Sequence, residues 1–225
     1  MRLAFSGGKD SIVCKRLLEL AGVPFTSYYS NTTMDPPELV KFIKAQHGDV
    51  PWLNPKMPMM TAVATLPKTP PTRRCRWCCN LYKENAPRFD GLTVMGIRAE
   101  ESARRKKAYK PITKMRNGKT TAMLPILRWT EEDIWQFIDD EKLPYCSLYD
   151  ENGFSRLGCV GCPMTGLRRR DFEFRRWPQF ERNWERAVKR SWEKWHGVPC
   201  RNGEMRRATK YESPEAYWQW WRNQP

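Results

Sequence analysis

The first 46 residues alternate between short apolar runs and amphipathic stretches, and this alternation restricts the fold more than any other feature of the chain. Residues 2–5 have the composition of a buried strand, and residues 11–21 have the apolar spacing of a helix. Residues 25–30 suit a second strand, and residues 36–46 suit a second helix. Strands that alternate with helices form parallel sheets with helices on both faces. We therefore predict an α/β fold with a doubly wound parallel sheet.

The rest of the chain is less regular. Residues 92–96 read as another buried strand, whereas the proline-rich residues 51–71 favour loops with at most one short helix. The charged residues 104–119 favour a mobile loop or a hairpin. Between residues 171 and 195, large apolar side chains recur every three or four positions. This spacing predicts one long amphipathic helix, kinked at Pro178.

The turn between the first strand and the first helix has the composition of an anion-binding loop. It reads Ser6-Gly7-Gly8-Lys9-Asp10-Ser11. Glycines let the backbone come close to an oxygen atom, and the amides of a helix N-terminus attract negative charge. The lysine adds a positive charge, and the two serine hydroxyls can donate hydrogen bonds to the same anion. The Walker pattern GxxxxGK[ST] is absent from this loop. We predict that the loop binds the phosphates of a nucleotide.

Two cysteine clusters predict a metal site. The first cluster is Cys75-Arg76-Trp77-Cys78-Cys79, and the second is Cys159-Val160-Gly161-Cys162-Pro163. Zinc prefers four thiolates in a tetrahedron, and Cys75 and Cys78 with Cys159 and Cys162 give the usual double C-x2-C spacing. The adjacent cysteines 78 and 79 reach one ion poorly but can reach two corners of an iron–sulfur cluster. Both kinds of centre are therefore open at this point.

Charge and length indicate the class of partner. The chain has 225 residues and a formal net charge of +15, which predicts attraction to nucleotide phosphates, sulfate or a polynucleotide. It contains no apolar run of about 18 residues, and its N-terminus lacks the pattern of a signal peptide. We therefore expect a cytoplasmic protein without a membrane partner. A reducing compartment disfavours disulfides, so metal binding or redox chemistry is the better explanation for the 8 cysteines.

The loop Ser6-Gly7-Gly8-Lys9-Asp10-Ser11 after the first strand resembles the PP-loop of the phosphoadenosine-phosphosulfate (PAPS) reductase and ATP-pyrophosphatase superfamily. Further matching stretches are Asn31-Thr32-Thr33-Met34-Asp35, Gly96-Ile97-Arg98-Ala99-Glu100-Glu101-Ser102 with Arg104 and Arg105, and Leu148-Tyr149 before Gly158-Cys159. The resemblance covers about residues 1–165. It implies a Rossmann-like, adenine nucleotide alpha-hydrolase-like domain over 1–165. Residues 166–225 would form a helical, basic and aromatic extension packed on that domain.

The resemblance also implies a set of site residues. ATP or adenylated sulfate, with Mg²⁺, would contact Ser6, Gly7, Gly8, Lys9, Asp10, Ser11, Asn31, Asp35, Gly96 and Arg98. The catalytic residues would be Lys9, Asp10, Arg98 and Arg104. The cysteine pattern resembles the Cys-Cys then Cys-x2-Cys ligation of a [4Fe–4S] cluster in assimilatory sulfonucleotide reductases. The implied ligands are Cys78, Cys79, Cys159 and Cys162, with Zn²⁺ and Cys75 as the alternative.

Three functions are compatible with these features. The loop is in the form that resembles the ATP-using members, which implies that ATP is cleaved between its α and β phosphates. An acceptor, with RNA and DNA among the possibilities, would be adenylated and would then receive sulfur from a thiol carrier or a cysteine desulfurase. The second function is reduction of adenylated sulfate to sulfite, for which Cys200 is the late cysteine available as nucleophile, although it lacks the Glu-Cys-Gly-x-His setting. The third is a nucleotide-binding or nucleic-acid-binding module without turnover.

Overall fold

The structure, a computed structural model, describes residues 1–84, 89, 91–115, 118 and 120–224. For Arg104 it describes the backbone alone. The chain packs as two compact units. The sheet unit contains Met1–Asn31, Pro36–Asn54 and Ala86–Leu157. The cysteine unit contains Thr32–Asp35, Pro55–Asn85 and Gly158–Pro225. Each unit is therefore assembled from stretches that are distant in the sequence. The domain boundary at residue 165 stays a prediction.

The described residues of the sheet unit contain a six-stranded sheet. Its strands are β1 (Arg2–Phe5), β2 (Thr26–Ser30), β3 (Trp52–Leu53), β4 (Leu92–Val94), β5 (Ile112–Lys114) and β6 (Thr121–Met123). Their order is β3-β2-β1-β4-β6-β5, and every neighbouring pair is parallel except β5 and β6. The predicted α/β class is confirmed, with one antiparallel strand at an edge. The two-residue strand β3 lies in the segment that the sequence predicted as loops.

The helices follow the predicted pattern in the first part of the chain and depart from it later. They are α1 (Lys9–Leu20), α2 (Pro37–Gln46), α3 (Met59–Thr65), α4 (Trp77–Tyr82), α5 (Ala103–Ala108), α6 (Glu131–Asp140), α7 (Leu167–Arg176), α8 (Pro178–Trp195) and α9 (Pro214–Arg222). Helix α5 lies where a mobile loop or hairpin was predicted. The hairpin part of that prediction is confirmed by the pairing of β5 with β6. Arg116, Asn117 and Lys119, which belong to the same predicted segment, lie outside the described residues.

The prediction of one long helix over residues 171–195 is wrong. Helix α7 ends at Arg176, and α8 begins at Pro178. Proline lacks a backbone N–H and disfavours a helical conformation in the residue before it. Trp177 accordingly has φ of −131° and ψ of 74°, outside the helical range. The apolar spacing continues across the break because both helices pack their aromatic faces inside the cysteine unit, where Trp184 stacks on Trp221 of α9 with ring centroids 4.3 Å apart.

The strand order creates a switch point at the carboxyl ends of β1 and β4. The chain runs from β1 to β2 and β3 on one side, and then returns to β4 on the other side of β1. The connections that leave β1 and β4 at their carboxyl ends therefore diverge. Open α/β sheets bind ligands in the crevice at such a switch point. The predicted phosphate loop directly follows β1. None of the helices in the described part of the chain is long and apolar enough to cross a membrane.

His47 makes the sheet unit sensitive to acid. Its ring is buried against Phe5 and Phe42, with centroids 4.7 and 5.3 Å away, and neither ring nitrogen has a hydrogen-bond partner among the described residues. Burial, assisted by the charge of Lys15, lowers the pKa of His47 to about 4. The unfolded chain therefore binds a proton more readily than the folded protein. The stability that the neutral imidazole contributes is complete above pH about 6.5 and is lost as the pH falls toward 4.

We expect wild type to lose about 2 kcal/mol of unfolding free energy through this group between neutral pH and pH about 4.5. A His47→Leu variant should lack that component, although its carboxylates still titrate. Urea unfolding of both proteins at the two pH values measures the difference. Parallel losses in wild type and variant would show that His47 does not cause the acid sensitivity.

Candidate functional site

The loop after β1 folds back on itself and leaves helix α1 without a side-chain cap. Ser11 Oγ donates to the carbonyl oxygen of Gly8 at 2.7 Å and accepts the backbone N–H of Ser6 at 3.2 Å. Gly7 has φ of 73°, and a Cβ atom there would lie 2.6 Å from the Ile43 side chain. Glycine is therefore required at this position. Gly8 is the N-cap of the 12-residue helix and supplies no capping group. The positive end of α1 can consequently receive an anion, although the Lys9 N–H already donates to the Tyr149 hydroxyl.

Lys9 is buried within the sheet unit, with a relative exposure of 1%. Its Nζ donates to the carbonyl oxygen of Ser155 at 2.8 Å and lies 3.1 Å from the carboxylate of Glu131. It also lies 5.1 Å from the ring centroid of Tyr149 and 5.9 Å from that of Trp135. Burial raises the pKa of Tyr149, so its hydroxyl stays protonated while it accepts the backbone N–H of Lys9 at 3.2 Å. The predicted phosphate-binding lysine is thus paired with a carboxylate.

Arg98 connects three carboxylates at the end of β4. Its guanidinium donates to Asp10 at 2.7 Å, to Glu100 at 2.5 Å and to Glu131. Burial alone would lower the pKa of Arg98, but the charges of Asp10 and Glu131 outweigh this effect and raise it. Gly96 permits the close approach of the two loops, since a Cβ atom there would lie 2.9 Å from the backbone carbon of Asp10. The loops after β1 and β4 are therefore joined by direct ion pairs.

The site holds more negative than positive charge. Lys9 and Arg98 carry two positive charges, while Asp10, Glu100 and Glu131 carry three negative charges. Burial would raise the pKa of Glu131, but its contacts with the lysine and the arginine lower it, so the carboxylate stays ionised. Mg²⁺ is usually held by one or two carboxylates together with substrate phosphates. The arrangement can accordingly accept a metal-bound nucleotide, with the carboxylates near the cation and the loop amides near the phosphates.

The remaining residues predicted for the nucleotide site lie in several places. Asn31 directly follows β2 in the sheet unit, and its side chain donates to the Asn54 side chain at 2.9 Å. Asp35 belongs to the cysteine unit, where its carboxylate accepts the Thr32 hydroxyl at 2.7 Å. Arg104 lies in α5, and its side chain is outside the described part of the chain. The structure therefore brings together the loop residues, the glycine after β4 and Arg98.

Four cysteines form an interacting group in the cysteine unit. The Cys78 thiol donates a hydrogen bond to Cys79, which raises the pKa of Cys78 and lowers that of Cys79 to about 6. The charges of Cys159 and Cys162 further raise the pKa of Cys78. Burial raises the pKa of Cys159 to about 11 and also raises that of Cys162. In contrast, Cys75 is exposed on the loop before α4. All eight cysteines of the chain are free thiols.

The loop that carries Cys159 and Cys162 is fixed by the helices that follow it. The backbone N–H of Gly161 donates to the buried carboxylate of Glu173 at 2.9 Å. The indole N–H of Trp184 donates to the carbonyl oxygen of Val160 at 3.1 Å. Both partners lie beyond residue 165, on α7 and α8. The C-terminal helices therefore hold the second cysteine pair in place.

Two cations lie within electrostatic range of the thiols. The charge of Cys159 raises the pKa of Lys83, which follows the first cysteine pair. Arg170 is fully buried, and burial lowers its pKa, while the charge of Cys162 opposes this effect. Its Nη2 donates to the carbonyl oxygens of Arg222 and Gln224, but its Nε and Nη1 have no hydrogen-bond partner among the described residues. Buried N–H groups usually have an acceptor, so these two groups of Arg170 can bind an anion.

The geometry is less suited to a single metal ion. Within the part of the chain that the structure describes, no three His, Cys, Asp or Glu side chains converge on a position that could hold one ion. A cluster binds each cysteine at a different iron atom, so its four sulfurs do not need to meet at one point. The four thiols therefore lie near enough to influence one another's pKa values without converging as the ligands of one ion.

Comparison with known proteins gives a consistent picture. The family model described as "Phosphoadenosine phosphosulfate reductase domain" matches residues 1–165. An uncharacterised protein of Methanocaldococcus jannaschii is 30% identical over 213 residues, which cover 85% of this chain and 42% of that protein. An adenosine 5'-phosphosulfate reductase of Oceanobacillus iheyensis is 36% identical over 90 residues, covering 38% of this chain and 36% of that enzyme. The chain spans less than half the length of these curated relatives.

Among solved structures, the fold resembles that of a phosphoadenylyl-sulfate reductase from Candida auris in a phosphate complex. The TM-score is 0.54 with 15% sequence identity, and the match covers 71% of this chain and 82% of that chain. At this identity the similarity concerns the fold alone.

Several residues of the site were not predicted from the sequence. Glu131 and Glu100 complete the ion-pair network of the sheet unit, and Tyr149 and Ser155 enclose Lys9. Tyr149 could have been identified from the sequence, because it lies in one of the stretches that resemble the superfamily. No sequence feature distinguishes Glu131 as a site residue, since an acidic residue in the first turn of a helix is also expected for helix stability alone.

Proposed function

The chain belongs to the phosphoadenosine phosphosulfate reductase family, and from this premise we propose that its sheet unit binds ATP and cleaves it between the α and β phosphates. An acceptor is adenylated in the first step. A sulfur nucleophile then displaces AMP from the acceptor. We further propose that these reactions take place in the cytoplasm.

The charge balance around Arg98 is the observation that carries this proposal. A site for a bare anion would be expected to have an excess of positive groups, whereas this site has three carboxylates against two cations. The excess negative charge matches a nucleotide that arrives with Mg²⁺. The uncapped end of α1 and the two glycines after β1 match its phosphates. Mg²⁺, when bound, supplies charge neutralisation for the triphosphate.

Each residue has a defined task in this reaction. An acceptor oxygen attacks the α-phosphorus, and the bond to the bridging oxygen of the β-phosphate breaks. Pyrophosphate leaves with the electron pair of that bond. Lys9 and Arg98 offset the charge that develops on the phosphate oxygens, and the loop amides orient them. Asp10 lies on the first turn of α1, where its carboxylate can hold the cation beside the phosphates. A thiol carrier or a cysteine desulfurase supplies the sulfur.

A Lys9→Met variant tests this assignment. We expect it to weaken ATP binding and to lower pyrophosphate release by about 100-fold or more, because a preorganised charge is lost at the reacting phosphates. ATP binding is measured by displacement of a fluorescent ATP derivative, which requires no acceptor. Pyrophosphate release is measured with RNA, DNA and small hydroxyl acceptors.

The matched control for this test is Lys41→Met, which removes an exposed lysine from α2. This variant should behave like wild type in both assays. Equal ATP binding and equal pyrophosphate release by the Lys9 and Lys41 variants would reject the proposed nucleotide site.

Reduction of adenylated sulfate is the second candidate, favoured by the relatives that are named adenosine 5'-phosphosulfate reductases. The Cys200 thiolate would attack the sulfur atom and displace AMP, forming an S-sulfocysteine. A thiol carrier would then release sulfite and leave a disulfide. Sulfite formation by wild type, lost in Cys200→Ser and kept in Cys75→Ser, would establish this function. Full sulfite production by Cys200→Ser would exclude Cys200 as the nucleophile.

We also propose that Cys78, Cys79, Cys159 and Cys162 hold a [4Fe–4S] cluster. When bound, the cluster would hold the incoming sulfur or brace the cysteine unit. The alternative zinc site differs by using Cys75 in place of Cys79. We expect Cys79→Ser to lose most of its iron and sulfide after anaerobic purification, while Cys75→Ser keeps both. Iron, zinc and sulfide analysis with visible absorption spectra provides the measurement. Loss of metal from Cys75→Ser, with zinc in wild type, would establish the alternative set.

A further inference from the structure

One segment supplies most of the net charge of the chain. Between Ser102 and Thr130 there are nine lysine or arginine residues and no aspartate or glutamate. This 29-residue segment thus provides nine of the fifteen net positive charges. The nucleotide loop lies elsewhere in the sequence and does not account for this concentration.

Four lysines of the segment form an exposed group in the sheet unit, which we name the lysine surface. Lys106 and Lys107 lie on α5, Lys110 lies in the connection to β5, and Lys114 ends β5. All four are exposed, and none of them pairs with an acidic side chain among the residues that the structure describes. The unpaired positive charge therefore faces solvent along a helix and the strand that follows it.

Protection of the sheet edge does not explain the whole group. Strand β5 is at the edge of the sheet, where lysines commonly prevent pairing with other chains. That reason can apply to Lys110 and Lys114. It cannot apply to Lys106 and Lys107, because α5 is a helix and exposes no unpaired strand edge. A negatively charged partner is a function that all four lysines can share.

The surroundings of the lysine surface favour a nucleic acid over other anionic partners. A protein partner would need an apolar centre, and Ile112, 58% exposed, is the large hydrophobic residue that the segment exposes. A membrane would need an amphipathic helix with an apolar face, which the α5 sequence Ala-Arg-Arg-Lys-Lys-Ala lacks. A polynucleotide needs lysines for its phosphates and can use an isolated apolar side chain against a base or sugar.

Helix α5 also begins close to the nucleotide site. Arg105 is its third residue, and burial and the charge of Arg156 lower its pKa. The Glu101 carboxylate contacts both Arg105 and Arg156, and the carbonyl oxygen of Ser155, the residue before Arg156, accepts Lys9 Nζ. A polymer held on the lysine surface would therefore extend toward the phosphate loop within the same unit.

We propose that the lysine surface binds a nucleic acid, and that this nucleic acid is the acceptor of the adenylation and sulfur transfer. The identity of the acceptor rests on the proposed function, but the binding itself does not. Phosphates of the polymer contact the four lysines, and the strand leads toward the nucleotide at the end of β1.

Binding is measured without ATP, so its outcome is separate from that of the pyrophosphate assay. The probe is a fluorescein-labelled, mixed-sequence single-stranded RNA of about 16 nucleotides, followed by anisotropy at several salt concentrations. The test variant carries Lys106→Gln, Lys107→Gln, Lys110→Gln and Lys114→Gln. We expect its affinity at low salt to fall about 10-fold or more. The slope of log affinity against log salt should decrease by about 0.7 for each lost phosphate contact.

A control variant removes the same amount of charge from the cysteine unit. It carries Arg182→Gln, Arg186→Gln, Arg190→Gln and Lys194→Gln, which are exposed positions on α8. That helix contains three glutamates against five basic residues, so its positive charge is partly offset locally. The control should keep wild-type affinity within about 2-fold and an unchanged salt slope. Circular dichroism confirms that both variants are folded.

Three results would overturn the proposal. The first is that wild type does not bind the RNA at low salt. The second is that both variants lose affinity equally, which would indicate a response to net charge alone. The third is that polyglutamate of equal charge competes as well as unlabelled RNA. If RNA binding is specific but pyrophosphate release is absent, nucleic-acid binding by the lysine surface is supported and the proposed reaction is rejected.

Discussion

Replacing Arg98 with methionine is expected to lower the free energy of unfolding by about 3 kcal/mol and to weaken ATP binding at the same time. Arg98 is 4% exposed, and its guanidinium donates to three carboxylates. Its removal leaves Asp10, Glu100 and Glu131 facing one another without a shared cation. Loss of one partner from a buried ion pair costs about 3–5 kcal/mol. We expect the lower value because the glutamates are partly exposed and solvent screens them.

Urea unfolding at neutral pH measures the loss, with Arg128→Met as the control. Arg128 is exposed in the same unit, and its replacement should change stability by less than about 0.5 kcal/mol. A second variant, Arg98→Met combined with Glu131→Gln, should recover part of the loss, because one of the uncompensated charges is gone. This coupling follows from a double-mutant cycle between residues in direct contact.

The two measurements separate two roles for Arg98. A residue that only contacts phosphate would weaken ATP binding without changing the stability of the nucleotide-free protein. The ion-pair network predicts that both properties change. Unaltered unfolding of Arg98→Met would therefore contradict the role of Arg98 as the link between the loops after β1 and β4.

Sequence patterns predicted the part of the fold where local chemistry and tertiary packing agree. The alternation in the first 46 residues predicted β1, α1, β2 and α2, and the structure moves their ends by one or two residues. The Gly-rich loop was predicted because its backbone conformation depends on glycine, which is visible in the sequence. Its position at a switch point between β1 and β4 depends on strand order, for which the sequence supplies only general rules.

The partners of the predicted cations could not be derived in the same way. Glu131 lies more than thirty residues from Arg98 and more than a hundred from Lys9, yet it contacts both. Such contacts arise only when α6 packs against α1 in the folded protein. The sequence identified which side chains carry charge, but the fold determines which charges are shared. For that reason Lys9 and Arg98 were both predicted as phosphate ligands, and their pairing with carboxylates was not.

In the cysteine unit, too, the sequence identified the reactive side chains but not the residues that support them. The clusters at Cys75–Cys79 and Cys159–Cys162 were evident from their spacing, and the choice of four metal-binding cysteines among them stays a prediction. The support from α7 and α8 was not evident, because those helices were predicted as a separate extension. The apolar spacing of these helices indicates only that one face of each is buried, and it does not show which residues they contact. Only the folded chain brings Glu173 and Trp184 to the backbone of the second cysteine loop.

Gly161 provides the sharpest test of that support. Its φ is 72°, and a Cβ atom would lie 2.6 Å from the Phe174 ring and 2.8 Å from the indole nitrogen of Trp184. Alanine at this position meets two penalties: about 1–2 kcal/mol for the left-handed backbone and about 1–3 kcal/mol for overpacking. We expect Gly161→Ala to lose roughly 3–4 kcal/mol of unfolding free energy.

The matched control is Gly197→Ala, because Gly197 also has φ of 72° but has no atom within 4 Å of a Cβ position. It should lose only the backbone component, about 1–2 kcal/mol. The difference between the two variants in urea unfolding therefore measures the packing of Phe174 and Trp184 against the cysteine loop. Thiol labelling of the metal-free proteins gives an independent measurement. Cys159 and Cys162 should react faster in Gly161→Ala than in Gly197→Ala, since displacement of the loop exposes them. Equal stability and equal labelling rates would mean that α7 and α8 do not hold the second cysteine pair, and that the thiols keep their positions by other contacts.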